Sequence, residues 1–303
     1  LVPIVVFLRP LGLRLTNPSV FFDWNGKEDS SMKKIQQNTK KQILVVSFGT
    51  SYHESREITI GAIENAIEKD FSDYTVRRAF TSQMIIDILA KRDNIKIDNV
   101  EQALERAVSE GVQTLIVQPT HLMNGYEYRD MVHILEKYQH KFEKIALAEP
   151  LLTSHEDFQN VMGAMIKDTC QYDDGQTAIC FMGHGTEAAS NQVYAKLQNM
   201  LKSNGYSHYF IATVEAAPTL EDIIPKIKKG SYRKVVLQPL MVVSGDHANH
   251  DMAGNEEGCW RAEFEKEGYE VECVLRGLGE LERIQSIYIQ HTQAAIDSLQ
   301  QMA

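Results

Sequence analysis

The sequence predicts an α/β protein of two similar domains, each a parallel sheet flanked by helices, with a cleft between them. Three observations carry this. Short apolar runs alternate with apolar residues at helical spacing from residue 43 onward. The order of those elements repeats once along the chain. The 303 residues also suffice for about two domains.

Ile43-Leu44-Val45-Val46 is a continuous aliphatic run, the mark of a strand buried on both faces. Ile60, Ile63, Ala66 and Ile67 then share one side of a helix, and Thr75 to Phe80 is strand-like. Val100, Ala103, Leu104, Ala107 and Val108 recur at helical spacing, with Gly111 placed to stop that helix. Leu115-Ile116-Val117 is the next strand and ends at Gln118-Pro119. A polar loop, a helix and a strand near Ile145 complete the half.

The second half repeats the plan. Ala178-Ile179-Cys180-Phe181 is a strand, residues 190–202 a helix, 209–214 a strand and 220–229 a helix. Val235-Val236-Leu237 is a strand ending at Gln238-Pro239, followed by a polar loop, a helix around Trp260, a strand over 269–275 and a long helix over 280–299. Local motifs support a duplication: Ser47-Phe48-Gly49-Thr50 corresponds to Gly183-His184-Gly185-Thr186, and Val117-Gln118-Pro119 to Leu237-Gln238-Pro239. Strand–helix alternation implies parallel sheets with helices on both faces. The expected boundaries are 1–40 for an N-terminal extension outside the fold, 41–153 for the first domain and 154–303 for the second.

Hydrophobic residues make up 43% and charged residues 24%, an ordinary globular composition that excludes disordered, collagenous and coiled-coil chains. With 31 basic against 41 acidic residues the net charge is −10. Such a chain is a poor general binder of nucleic acid or anionic membrane, which leaves local basic pockets for a polyanionic small molecule. Cys170, Cys180, Cys259 and Cys273 form no Cys-x-x-Cys pair and read as reduced thiols, which favours the cytoplasm. The apolar run over residues 2–8 falls far short of the ~20 residues of a membrane helix. It also lacks the basic leader and cleavage site of a signal peptide. Met32, followed by Lys33-Lys34, reads as the natural start, with the preceding segment an upstream extension. The rival reading of that segment is the remnant of an export signal.

In open α/β sheets the ligand sits outside the carboxyl ends of the strands. His184 lies there between two glycines, Glu215 follows the Ile211-Ala212-Thr213-Val214 run, and His247 lies in the loop Ser244-Gly245-Asp246-His247-Ala248-Asn249-His250-Asp251. All three are thus aimed at one edge of the second sheet. Two imidazoles and a carboxylate suit a divalent ion such as Zn, Co, Ni or Fe. Asp246 and Asp251 stand ready to orient the histidines as hydrogen-bond acceptors. The phosphate loop, the dinucleotide Gly-x-Gly-x-x-Gly turn, the Gly-x-Ser-x-Gly elbow and His-Glu-x-x-His are all missing from the sequence.

Val46-Ser47-Phe48-Gly49-Thr50-Ser51, Gln118-Pro119-Thr120-His121, Gly183-His184-Gly185-Thr186, Thr213-Val214-Glu215 and Gly245-Asp246-His247-Ala248 together resemble the anaerobic sirohydrochlorin cobaltochelatases of the CbiK type. These are class II chelatases, a class that includes the protoporphyrin ferrochelatases. The resemblance runs in order from about Met32 to the C-terminus. It implies two α/β domains around an active-site cleft and ATP-independent insertion of Co²⁺ into sirohydrochlorin on the anaerobic route to cobalamin. It assigns the metal to His184, Glu215 and His247, with His250 a neighbour. His121 becomes a candidate for contact with substrate or with a second metal or haem-type group. Cobalt is then a substrate metal, and no organic cofactor is expected.

Metal insertion must strip water from the ion and remove two pyrrole protons. Imidazole and carboxylate ligands replace water stepwise. His184 is the general-base candidate, and Glu215 binds metal or relays the second proton. A bent macrocycle would expose its nitrogen lone pairs; bending is implied by the resemblance alone. Arg56, Arg78, Arg129 and Lys91 are candidate partners for the eight carboxylates of sirohydrochlorin, and Tyr52 and Tyr126 are candidates to pack on the ring. Two rivals stand beside this reading: a chelatase for Fe²⁺ or Ni²⁺, and a non-catalytic carrier of metal or tetrapyrrole. Nucleic acid and membrane are not expected partners, and homo-oligomerisation is left open.

Overall fold

The structure, a computed structural model, describes residues 6–8 and 40–301. Val6–Leu8 is β1. The first half runs β2 (Lys41–Ser47), α1 (His53–Arg56), a π-helical turn (Glu57–Gly61), α2 (Ala62–Asp70), β3 (Thr75–Phe80), α3 (Gln83–Asp93), α4 (Val100–Ser109), β4 (Thr114–Pro119), α5 (Tyr126–Tyr138) and β5 (Lys144–Leu147). The second half begins α6 (His155–Thr169), β6 (Thr177–Gly183), α7 (Gln192–Ser203), β7 (Tyr209–Thr213) and α8 (Leu220–Ile227). It continues through β8 (Lys234–Pro239), a second π-helical turn (Ala248–Met252), α9 (Trp260–Lys266), β9 (Glu270–Cys273) and α10 (Glu282–Gln301).

Four parallel strands form each sheet, in the orders β5-β4-β2-β3 and β7-β6-β8-β9. The first sheet carries one addition. β1 pairs antiparallel with β5, with Val6 opposite Ala146 and Leu8 opposite Lys144. These three residues belong to the stretch expected to lie outside the fold. The physical reason is that β5 would otherwise be an edge strand with unpaired backbone groups, which a short extended run can satisfy. The readings of Met32 as a start and of an export remnant fall outside the described residues.

The side chains of β2 divide between its two faces, as the pleat requires. Ile43 and Val45 join a cluster with Ile179 and Phe181 of β6, while Leu44 and Val46 join Leu104 of α4 and Met131 of α5. The first cluster also contains Ile63 of α2, Val161 of α6, Leu197 of α7 and Ile287 of α10. These helices therefore lie between the sheets, and the two halves share one core. α10 belongs to the second half in sequence, yet it packs on α2, α6, β4 and β5. A third cluster covers the outer face of the second sheet, with Cys180 and Leu237 against Ile223, Trp260 and Phe264. All four cysteines are free thiols. Among the described residues no helix is long and apolar enough to cross a membrane.

Matching backbone hydrogen bonds superimpose the halves residue by residue. Thr81 N–H donates to Ser47 O as Val214 N–H does to Gly183 O, and Ser82 N–H donates to Phe48 O as Glu215 N–H does to His184 O. Thr120 N–H donates to Val46 O as Leu240 N–H does to Met182 O. Phe48 is thus the counterpart of His184, and Ser82 that of Glu215. Nine residues beyond the paired Gln118 and Gln238, Glu127 corresponds to His247.

A polar clasp ties α10 to α6 and to the end of the first half. His291 Nε2 lies 3.0 Å from Asp157 Oδ1, and its Nδ1 lies 3.1 Å from Glu149 O. Asp157 Oδ2 accepts from the Ser154 N–H at 2.6 Å, which caps α6. Burial alone would push the Asp157 carboxyl up, but the hydrogen bonds from His291 and from Ser154 outweigh it and hold the group below its usual range. Asp157→Asn is therefore expected to destabilise the protein at neutral pH by about 1–3 kcal/mol, a few degrees in melting temperature. A carboxyl whose folded pKa is depressed stabilises above its unfolded value of about 3.9. That contribution is lost as pH falls through the folded value. Melting curves taken from neutral to strongly acid pH check this, because the gap between variant and wild type should close at the acid end.

Candidate metal and macrocycle site

The loop after β8 packs on the loop after β2, so the carboxyl ends of the two sheets meet across one cleft. Ser244 N–H donates to Ser55 Oγ at 3.1 Å, and Tyr52 Oη donates to Asp246 Oδ1 at 3.4 Å. His184, Glu215 and His247 stand in this cleft at the ends of β6, β7 and β8. Their ligand atoms all lie within 4.8 Å of one another. Ligand–ion distances of about 2 Å span ligand pairs up to ~4 Å apart, so a small inward movement closes the set around one ion. The His184 and His247 rings meet edge to face with centroids 4.8 Å apart, and His184 Nδ1 is 3.6 Å from Glu215 Oε2.

Hydrogen bonds to Nδ1 select the tautomer of each histidine. His184 Nδ1 lies 2.8 Å from Gly185 O, which can only accept, so the proton is on Nδ1 and the Nε2 lone pair is free. His247 Nδ1 lies 2.7 Å from Asp251 Oδ2, with the same consequence. Asp246 Oδ1 likewise takes His250 Nδ1 at 2.9 Å, but the cluster contains His247 and not His250. The π-helical turn starting at Ala248 places Asp251 one turn beyond His247. Glu215 differs from the sequence reading in one respect. β7 stops at Thr213, so the carboxylate sits in a loop with its side chain 55% exposed, not at a buried strand end. Asn191 clips two of the ligand loops together, accepting from Thr186 N–H at 3.1 Å and donating to Ala217 O at 2.7 Å.

The other residues singled out in the sequence divide. Tyr52 reaches across the cleft to Asp246, and Tyr126 is 55% exposed at the start of α5. The structure does not bring His121 to the triad. Its counterpart in the second half is Met241, both its ring nitrogens are buried without a partner, and burial lowers its pKa to about 4. It stands edge-on to Tyr128. Arg78 is held by Glu64 at 2.6 Å, and Arg56 is buried beside Glu57. Two exposed apolar residues were not singled out as candidates in the sequence. Phe48, the counterpart of His184, is 47% exposed, and Met84, two residues past the counterpart of Glu215, is 71% exposed. At the positions of His184, Glu215 and His247 the first half carries Phe48, Ser82 and Glu127.

The model of the cobalt chelatase (CbiK) family matches residues 41–297. A sirohydrochlorin cobaltochelatase of Salmonella typhimurium is 35% identical over 258 residues, 85% of this chain and 97% of that protein. A sirohydrochlorin cobaltochelatase of Nitratidesulfovibrio vulgaris is 30% identical over 278 residues, 91% of this chain and 98% of that protein. Among solved structures, SirB from Bacillus subtilis with Fe³⁺ superimposes with a TM-score of 0.59 at 14% identity, covering 86% of this chain and 97% of its own, a likeness of fold.

Proposed function

The chain belongs to the cobalt chelatase (CbiK) family, and we propose that it inserts Co²⁺ into sirohydrochlorin without ATP, in the anaerobic synthesis of cobalamin. The observation that carries this reading is the convergence of His184, Glu215 and His247 within 4.8 Å at an open interdomain cleft. A hydrated ion needs such openness to arrive, and Tyr52, which reaches Asp246 across the cleft, is placed to pack on the macrocycle.

Co²⁺ enters as a substrate and exchanges water for the two Nε2 atoms and the Glu215 carboxylate. Transfer to the macrocycle then proceeds by ligand exchange. As a pyrrole nitrogen replaces His184 on the ion, the freed Nε2 lone pair accepts the proton that nitrogen loses. Glu215 takes the second proton in the same way, so one dication enters the ring as two protons leave it. The tautomer set by Gly185 O and Asp251 keeps both imidazoles ready for this exchange.

An anaerobic absorbance assay with sirohydrochlorin and Co²⁺, and in parallel with Fe²⁺ and Ni²⁺, tests the reading. Multiple turnovers fastest with Co²⁺ support it. Faster turnover with Fe²⁺ or Ni²⁺ would reassign the metal, since the ligand set alone discriminates weakly among these ions. Stoichiometric binding without turnover would make the protein a carrier.

A further inference from the structure

A pocket of about 350 Å³ opens between the two halves beside the metal loops. Its walls are the loops after β4 and β5, Phe158 of α6 and the start of α7. We propose that this pocket receives one carboxylate arm of the macrocycle, with Lys196 as its charged partner and Ser190 Oγ as a hydrogen-bond donor. The inference rests on the tetrapyrrole reading above and names a subsite for it.

Four features of the pocket support this occupant. Ser190 Oγ is buried and has no hydrogen-bond partner, an unfavourable state that a ligand oxygen relieves. Lys196 Nζ sits 3.5 Å from the centroid of the Phe158 ring and forms no ion pair among the described residues. The ring holds the ammonium against the wall by its negative face. From the opposite half, Arg129 Nε donates to Asn124 Oδ1 at 3.2 Å, which puts a second cation behind the Asn124 wall. Finally, the wall is coupled to the loops that carry His184 and Glu215. The loop that starts at His184 ends at Ser190, and the next residue, Asn191, clips it to the Glu215 loop.

Glu149 also lines the pocket, and Thr153 Oγ1 donates to it at 3.4 Å. Burial raises its pKa. The apolar wall around Phe158 suits the methylene stem of a carboxyalkyl arm, and the polar wall suits its end. In a chain of net charge −10, a polycarboxylate needs such local cations to bind at all.

Lys196→Met keeps an apolar stem over Phe158 and removes the charge. It is expected to raise the KM for sirohydrochlorin, and the Kd for uroporphyrin as an octacarboxylate probe read by fluorescence, by about tenfold. The kcat and the Kd for Co²⁺ alone should be unchanged, and Lys196→Arg should retain wild-type macrocycle binding. Macrocycle binding by Lys196→Met equal to wild type overturns the subsite and leaves the chelatase reading intact. Failure of the wild-type protein to bind either macrocycle overturns both.

Discussion

Alanine at His184 or at His247 is expected to abolish multiple-turnover cobalt insertion and to lower Co²⁺ affinity by more than about a hundredfold. The magnitude follows from position. Loss of a residue that only orients a metal ligand costs about 10–100-fold in affinity or activity, and loss of the ligand itself removes the bond as well. Asp251→Asn supplies the comparison. The amide carbonyl of the variant would still accept from His247 Nδ1 but carries no charge, so a drop within that 10–100-fold range is expected. Titration of Co²⁺ by its d–d absorbance, together with the insertion assay, reads both quantities. His184→Ala binding Co²⁺ as tightly as wild type would show that the ion sits elsewhere. Because the His184 side chain is 46% exposed, the substitution leaves no core cavity, and melting temperature serves as the control for folding.

What the sequence made legible was whatever a local pattern encodes. Strands such as β2 and β6 carry an unbroken apolar run, Ile43–Val46 and Ala178–Met182, because both faces are covered, and such a run is a strong signal. The clustering of His184, Glu215 and His247 was legible for a related reason, since they follow the ends of β6, β7 and β8 by one, two and eight residues. What depends on contacts distant in sequence was not. β1 pairs with β5 across more than a hundred residues, and α10 crosses to the first sheet, where Tyr288 Oη donates to Thr120 O. α6 joins the two halves and was missed, although its cap was written as Ser154-x-x-Asp157 ahead of an apolar periodicity. α3 was obscured because Met84 is apolar but exposed, which blurs the helical stripe of Ile86 and Leu89. The same ambiguity hid the exposure of Phe48 and Met84: an apolar side chain at the surface reads like one facing a core. His121 stands outside the cluster of His184, Glu215 and His247, and the burial of its ring nitrogens depends on contacts that no strand-end pattern encodes.

The duplicated fold also explains why Gly185, and not merely His184, decides whether the ligands converge. Gly185 has φ of +89°, and a Cβ there would lie 2.7 Å from Thr213 Oγ1 and 2.8 Å from Ala216 N. Both atoms belong to the segment that leads into and out of Glu215. A methyl group must push the His184 loop away from the Glu215 loop, so Gly185→Ala should separate two ligands without altering either. The left-handed backbone adds a cost of about 1–2 kcal/mol for a residue with a Cβ. Gly111→Ala isolates that second effect. Gly111 has φ of +74°, a Cβ on it meets nothing within 4 Å, and it lies past the end of α4. Both variants are expected to melt a few degrees below wild type, but only Gly185→Ala should lose Co²⁺ affinity, by about tenfold or more, and insertion activity with it. Equal loss of affinity in the two variants would mean that general destabilisation, not ligand geometry, limits the site. Full affinity in Gly185→Ala would mean that the loops move freely enough for the ion to gather its own ligands.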